Sequence, residues 1–135
     1  MCSSSHLNQI KFMSQRILVV DDEAPTRELL SLYFKKLGYD VSTASTAEGA
    51  LRLVNEIPLQ LVILDLNLGD ADGLDLLEPI QKAHPRIPII IYSGIGSDDQ
   101  SLERALARQK GVTSYIHKTQ PLDQMLAEVK RLLQT

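Results

Sequence analysis

The chain has 135 residues, 44% of them hydrophobic and 23% charged, which suits one folded domain and excludes collagen-like, coiled-coil and wholly disordered chains. Its net charge is −3 and its 14 basic residues are dispersed, so the charge pattern predicts no direct binding to nucleic acid. The one cysteine, Cys2, excludes a disulfide framework and favours a reducing, cytoplasmic setting, and no apolar run approaches the roughly 20 residues that a membrane span needs.

Five short β-branched or aliphatic runs alternate with segments of helical period from residue 16 onward, which is the pattern of an α/β fold. The first, third and fourth runs are almost wholly apolar, as central parallel strands covered on both faces are. The second run is mixed and suits a sheet edge. The predicted strands are residues 16–20, 39–44, 59–64, 87–92 and 112–117.

Three predicted helices lie between the first four strands. The first covers residues 25–37, and the second begins after a capping Ser45 or Thr46 and ends before Pro58. The third contains Pro79, whose ring and missing N–H require that this helix start late, kink or distort locally.

The fourth predicted helix covers about residues 97–111 and the fifth runs from 121 to about 133. Met125 and Leu132 lie off the main apolar face of the fifth helix, as scattered surface residues or as part of a partner patch. Five βα units at this length predict a doubly wound, open parallel sheet of the flavodoxin-like kind, with strand order 2-1-3-4-5. An eight-stranded barrel would need about 250 residues.

Reactive side chains follow four of the five strands. Asp21 and Asp22 come after the first strand, Asp65 after the third, Ser93 after the fourth and Lys118 after the fifth. In the predicted order the first and third strands are neighbours, and ligands bind beyond the carboxyl ends of strands at such a switch point. We therefore expect these five side chains to converge.

Three converging carboxylates repel one another by about 4 kcal/mol per pair at 4 Å and an effective dielectric of 20, so the site needs cations. Lys118 supplies one, and the oxygen ligands favour Mg²⁺ or Mn²⁺ over Zn²⁺ for the other. Mg²⁺ held by few carboxylates keeps positions for phosphate oxygens, which indicates phosphoryl chemistry. Asp65 is the best-placed nucleophile, and Lys118 with the Ser93 hydroxyl would neutralise the phosphoryl oxygens.

This combination resembles the receiver domain of bacterial two-component response regulators, over residues 16 to about 134. The spacing of the paired acids, the acceptor aspartate, the hydroxyl and the lysine is highly specific. The motifs that carry the resemblance are ILVVDDE (17–23), LVILDLNLGDADG (61–73), IIIYSG (89–94) and GVTSYIHK (111–118). Residues 15–135 are accordingly expected to form the receiver domain, and residues 1–14 a disordered leader or a remnant of cloning.

The resemblance implies a role for each of four residues in phosphoryl transfer. Asp65 would accept a phosphoryl group from a histidine kinase or a histidine phosphotransfer protein. Asp22, Asp65 and the main-chain carbonyl of Asn67 would ligate Mg²⁺, and Asp21 would act on the ion directly or through water.

The resemblance also implies a signalling switch that is not an enzyme beyond its own phosphorylation and dephosphorylation. Ser93 would close onto phosphorylated Asp65 and Tyr115 would turn inward, which changes the face made by helix four, strand five and helix five. No residue follows helix five except the last few, so the expected output is contact with a downstream protein or a phosphorylation-dependent homodimer. The alternative is a receiver cut from a longer protein.

Two positions depart from the usual pattern of the family, and a third needs a separate explanation. Thr119 stands where proline usually follows the lysine, which favours a trans Lys118–Thr119 bond because a cis bond there costs about 2.5 to 4 kcal/mol. Gly69 stands at another common proline position and predicts a looser loop after Asp65. Glu23 is expected in the first turn of helix one, where the helix dipole favours an acid.

Four other functions compete with a switch. Thr119 leaves open a receiver-shaped scaffold that is never phosphorylated. A haloacid dehalogenase-like phosphohydrolase needs an acid two residues after the nucleophile, where Asn67 stands. The chain has no G-x-x-x-x-G-K-[ST] motif for a P-loop ATPase, and acids after the first strand would repel the phosphate of FMN.

Overall fold

The computed structural model describes residues 15–69, 71–94 and 112–134. Its main element is a parallel sheet with strand order 2-1-3-4-5, which confirms the predicted class and topology. The strands are β1 (Arg16–Val20), β2 (Asp40–Ala44), β3 (Leu61–Leu64), β4 (Ile89–Ser93) and β5 (Val112–His117). The expected leader 1–14 and the predicted helix over about 97–111 lie outside the described residues.

Helices follow the strands on both faces of the sheet. They are α1 (Ala24–Lys36), α2 (Ala47–Glu56), a 3-10 turn (Gly73–Leu76) that leads into α3 (Leu77–Ala83), and the last helix (Leu122–Leu133). Thr46 is the N-cap of α2, where its hydroxyl accepts the backbone N–H of Gly49 at 3.0 Å. Within these described stretches no helix has the length and apolar character to cross a membrane.

Pro79 explains why the third helix begins late. The 3-10 turn occupies residues 73–76, and α3 starts only at Leu77. Pro79 is then the third residue of the α-helix, in the first turn, where backbone N–H groups have no partner within the helix. The structure therefore shows the late start, which is one of the three ways in which this helix was expected to accommodate Pro79.

Two apolar cores cover the two faces of the sheet, because alternate residues of each strand point to opposite faces. Leu18 and Val20 of β1 point into the α2/α3 core, which α2 and α3 complete. Ile17 and Val19 point into the second core, which α1 covers with Leu30 and Phe34 and the last helix covers with Met125 and Val129. We call this second cluster the α1/C-terminal core.

The prediction for Met125 and Leu132 was wrong. Met125 is fully buried in the α1/C-terminal core, and Leu132 is partly buried against it. The last helix buries a stripe that also includes Leu122, Leu126 and Val129, and this stripe is broader than a single row of residues one turn apart. Met125 and Val129 are the fully buried members of this stripe, and Leu122, Leu126 and Leu132 are partly buried.

Candidate functional site

Acidic side chains meet at the carboxyl ends of β1 and β3. The two strands are parallel neighbours in which Val20 pairs with Leu64, so the residues that follow them, Asp21 and Asp65, arrive side by side. Carboxylate oxygens of Asp21, Asp22 and Asp65 all lie within 4.8 Å of one another. Asp21 and Asp65 are 2% and 4% exposed, whereas Asp22 is on the surface. The predicted convergence of the three acids is therefore found.

Lys118, which follows the edge strand β5, supplies the compensating positive charge to these acids. Its Nζ lies 2.8 Å from Asp21 Oδ2, 3.0 Å from Asp65 Oδ2 and 3.0 Å from Glu23 Oε1. Burial alone would lower the pKa of the Lys118 ammonium, but its hydrogen bonds to Asp21, Glu23 and Asp65 outweigh burial and raise the pKa above its ordinary value. Lys118 is thus held charged in the centre of the site.

Asp21 has an electrostatic environment that favours an additional cation. Burial raises the pKa of its carboxyl, and the charge of Asp65 adds to this effect. The hydrogen bonds from Lys118 and from the backbone N–H of Glu23, at 2.9 Å to Oδ1, act in the opposite direction but do not cancel it. The ionised carboxylate is therefore only partly compensated by the groups around it.

Backbone contacts fix the position of Asp65. Its N–H donates to the carbonyl of Val20 at 2.9 Å, and its Oδ1 accepts the N–H of Asn67 at 3.1 Å. The chain returns to Asp65 at Gly73, where a Cβ would lie 2.3 Å from the Asp65 carbonyl oxygen. Only glycine fits at this close approach.

The loop after Asp65 contains backbone pairing and a side-chain hydrogen bond, and whether it is looser than in the family stays a prediction. Residues 67–68 pair antiparallel with residues 71–72, and the Gly69 N–H donates to Asn67 Oδ1 at 3.2 Å. Gly69 has a φ of +70°, which favours glycine, and a Cβ there would lie 3.6 Å from Asp22 Oδ2. Glycine at this position therefore permits a tight reversal beside the acids.

Ser93 and Tyr115 lie on the neighbouring strands at the same end of the sheet. Ser93 is 1% exposed, and its carbonyl accepts the N–H of Lys118 at 2.9 Å, which extends the pairing of β4 with β5. Tyr115 is half-buried and packs against the α2/α3 core. The switch roles of Ser93 and Tyr115, and the metal contact of the Asn67 carbonyl, stay predictions.

Glu23 has a different position and contact from those expected. It is the N-cap residue of α1 and makes no side-chain cap; instead its carboxylate pairs with Lys118, whose hydrogen bond lowers the pKa of Glu23. The sequence feature that could have indicated this contact is that Glu23 directly follows Asp21 and Asp22, at the same end of the sheet as Lys118. Helix-dipole reasoning alone does not identify a partner 95 residues away.

The donor set fits a hard divalent cation. Three carboxylates that lie close together supply oxygen ligands, the type that Mg²⁺ and Mn²⁺ prefer. Asp22 is the exposed member, so an ion could reach the cluster from solvent. A buried carboxylate beside a lysine and such an ion is an arrangement suited to phosphoryl transfer.

Known proteins resemble this chain in sequence and in fold. The model of the response regulator receiver domain matches residues 17–130. A putative NtrX-like response regulator of Rickettsia typhi is 35% identical over 117 residues, which are 85% of this chain and 24% of that protein. The chain thus spans about a quarter of the length of this curated relative.

Solved structures give the same result. The receiver domain of NtrX from Brucella abortus has a TM-score of 0.78 and 36% identity, over 88% of this chain and 98% of that one. A response regulator of Burkholderia pseudomallei, solved with a phosphorylated aspartic acid, a calcium ion and citrate, has a TM-score of 0.77 and 26% identity, over 84% of this chain and 65% of that one. The chain belongs to the family of response regulator receiver domains.

Proposed function

We propose that this chain is a phosphorylation-operated signalling switch whose phosphoacceptor is Asp65. The observation that carries the proposal is the environment of Asp65, a buried carboxylate 3.0 Å from the Lys118 ammonium and within the acidic cluster of Asp21 and Asp22. The phosphorylated aspartic acid and calcium ion in the Burkholderia relative support the same chemistry here.

Asp21, Asp22, Asp65 and the main-chain carbonyl of Asn67 would hold Mg²⁺, or alternatively Mn²⁺. When bound, the ion neutralises phosphoryl oxygens and so lowers the charge repulsion between donor and acceptor. The chain's own contribution is to hold Asp65 with the Asn67 N–H and the Val20 carbonyl, so that its carboxylate meets the phosphorus in a fixed orientation.

The donor is a phosphohistidine of a histidine kinase or of a histidine phosphotransfer protein. A carboxylate oxygen of Asp65 forms the new bond to phosphorus while the bond from phosphorus to the donor nitrogen breaks. Lys118 lies close enough to Asp65 to bind an anionic oxygen of the product, and Ser93 follows β4 at the same sheet edge. The negative charge of a phosphoryl group on Asp65 would therefore lie close to Ser93 at the end of β4 and to Lys118 after β5.

The output would be a changed surface for a downstream protein or for a second copy of the chain. Ser93 and Tyr115 lie on adjacent strands, β4 and β5, and a shift of both side chains alters the face that β5 shares with the last helix. Phosphorylation selects this arrangement because it adds charge at the ends of these strands.

The test is phosphorylation by a small donor. The chain is incubated with Mg²⁺ and phosphoramidate, and intact-mass spectrometry should show an increase of about 80 Da that base removes. Asp65→Asn should abolish the increase, while Asp75→Asn, a change at an exposed aspartate of the 3-10 turn, should retain it. No increase with donor and metal in excess would overturn the proposal in favour of a scaffold, and turnover of varied phosphate esters would indicate a phosphohydrolase.

A further inference from the structure

The turn that follows β5 is built by side-chain hydrogen bonds at the residues around Lys118. Lys118 is succeeded by Thr119 in a trans bond, since the described residues contain no cis peptide. The chain then reverses into the last helix within three residues. The conformation of this turn determines where the backbone of Lys118 lies, and the lysine side chain extends from there.

The imidazole Nδ1 of His117 accepts a hydrogen bond from the Thr119 backbone N–H and also lies within hydrogen-bond distance of the Thr119 hydroxyl. Nδ1 lies 3.2 Å from the Thr119 N–H and 2.8 Å from the Thr119 hydroxyl. A backbone N–H can only donate, so this hydrogen bond requires the tautomer in which Nδ1 is unprotonated and the proton lies on Nε2. His117 thus binds the N–H of the residue two positions later, as the side-chain oxygen of asparagine does in an Asx turn.

Gln120 closes the same turn from the other side. Its Oε1 accepts the His117 N–H at 2.7 Å, and its own N–H donates to the His117 carbonyl at 2.9 Å. Its Nε2 donates to Gln124 Oε1 of the last helix at 2.6 Å. The turn is therefore connected both to the end of β5 and to the last helix.

We propose that His117, Thr119 and Gln120 are positioning residues, which hold the backbone of Lys118 where its ammonium reaches Asp65 and so set the rate of phosphoryl transfer. The Lys118 side chain crosses the ends of β4 and β3 to reach Asp21, so its long, flexible stem must start from a fixed Cα. A misplacement of about 1 Å at a reacting group can reduce a rate by as much as a hundredfold. The proposal rests on the proposed function because it concerns the rate at Asp65.

Paired substitutions separate these hydrogen bonds from general disruption. His117→Leu removes the acceptor and Thr119→Val removes the hydroxyl, whereas His117→Asn and Thr119→Ser retain an acceptor and a hydroxyl at those places. The control for a threonine-to-valine change is Thr43→Val, at an exposed position of β2. Each variant is phosphorylated over a range of phosphoramidate concentrations at saturating Mg²⁺, and its Mg²⁺ affinity is measured by calorimetry.

We expect His117→Leu to lower the maximal rate about tenfold and Thr119→Val about threefold. Mg²⁺ affinity should not fall, because every carboxylate is retained and a displaced Lys118 competes less for Asp21 and Asp65. His117→Asn, Thr119→Ser and the control should stay within about twofold of the unaltered chain. Leucine and valine variants that react at the unaltered rate would overturn the proposal. So would an asparagine variant as slow as the leucine variant.

Nitrogen NMR of the imidazole tests the turn without phosphorylation. In the neutral imidazole the proton of His117 should be on Nε2, and Thr119→Val should shift the Nδ1 resonance. A proton on Nδ1 would show that the hydrogen bond from the Thr119 N–H to His117 does not form, and would overturn the proposal. Absence of any adduct on the unaltered chain would instead overturn the proposed function and the rate effect, while the spectrum would still decide whether the turn forms.

Discussion

The ammonium of Lys118 lies 2.8 Å from the carboxylate of Asp21, although the two residues end strands that are three places apart in the sheet. The lysine side chain passes the ends of β4 and β3 and meets acids that follow β3 and β1. One cation thereby connects the ends of three strands, and the stability of this end of the sheet depends on it.

Replacing Lys118 with methionine should destabilise the metal-free chain at pH 7. Asp21 and Asp65 would remain buried without their cation, and breaking such a contact costs about 3 kcal/mol when one partner is removed. The measurement is the free energy of unfolding in urea, with and without Mg²⁺. Added Mg²⁺ should stabilise the variant more than the unaltered chain, because Mg²⁺ supplies the missing positive charge.

Lys82→Met is the matched control for that experiment. Lys82 pairs with Glu78 at 3.5 Å on the surface of α3, where both side chains are more than 70% exposed. Such pairs contribute at most about 1 kcal/mol, and Mg²⁺ should have no special effect on this variant. Equal stability of the Lys118 and Lys82 variants would contradict the role given to Lys118.

Asp21 should make the metal-free chain less stable as the pH rises. Its pKa is raised in the folded chain by burial, so its contribution to stability is fully present below the ordinary value of 3.8 and is lost as the pH rises through the raised pKa. Asp21→Asn removes this titration. In urea unfolding between about pH 4 and pH 8, the unaltered chain should lose stability relative to the variant.

Saturating Mg²⁺ should reverse the comparison at Asp21. The ionised carboxylate then faces a bound cation, which the asparagine side chain binds less strongly, so the unaltered chain becomes the more stable of the two at neutral pH. A difference between the two proteins that does not vary with pH would show that Asp21 keeps an ordinary pKa.

Glu23→Gln should weaken the binding of Mg²⁺. Without the Glu23 carboxylate, Lys118 interacts only with Asp21 and Asp65, the acids that the ion also needs, and the site has one negative charge fewer. We expect the dissociation constant for Mg²⁺ to rise about threefold at low salt and less at high salt, where exposed charges are screened.

The control for Glu23→Gln is Glu28→Gln, which alters an exposed residue one turn further along α1. Calorimetric titration should give it nearly the affinity of the unaltered chain. If both variants bind Mg²⁺ equally well, the Glu23–Lys118 contact has no influence on the ion.

Gly73→Ala should destabilise the fold and displace Asp65. The new Cβ would lie 2.3 Å from the Asp65 carbonyl oxygen and 2.9 Å from Leu66 Cα, both backbone atoms that cannot turn aside. We expect a loss of about 2 kcal/mol in the free energy of unfolding and slower phosphorylation at Asp65.

Gly94→Ala provides the comparison for Gly73. A Cβ at Gly94 would have an ordinary contact of 3.9 Å with Lys118 Cδ, so the loss of stability should be small. If Gly73→Ala is as stable as Gly94→Ala, the close approach of Gly73 to Asp65 does not constrain the loop.

Much of the site follows from the strand pattern. Parallel strands align their carboxyl ends, so the sequence alone predicts that the residues after β1 and β3 lie together. The contact of Glu23 could not, because it depends on how far the Lys118 stem extends and which oxygen it meets. Met125 was misassigned for a related reason: helical period gives the direction of a side chain but not the width of the face that a sheet covers.

The pairing of α1 with the last helix over one core bears on the order in which the protein can finish folding during synthesis. Ile90 and Ile116 share the α1/C-terminal core with Met125 and Val129, which follow all five described strands of the sheet in the chain. A ribosome-bound chain that ends before Leu122 leaves that face of β4 and β5 without the cover of the last helix. The nascent chain therefore exposes an aggregation-prone apolar surface until the helix Leu122–Leu133 emerges.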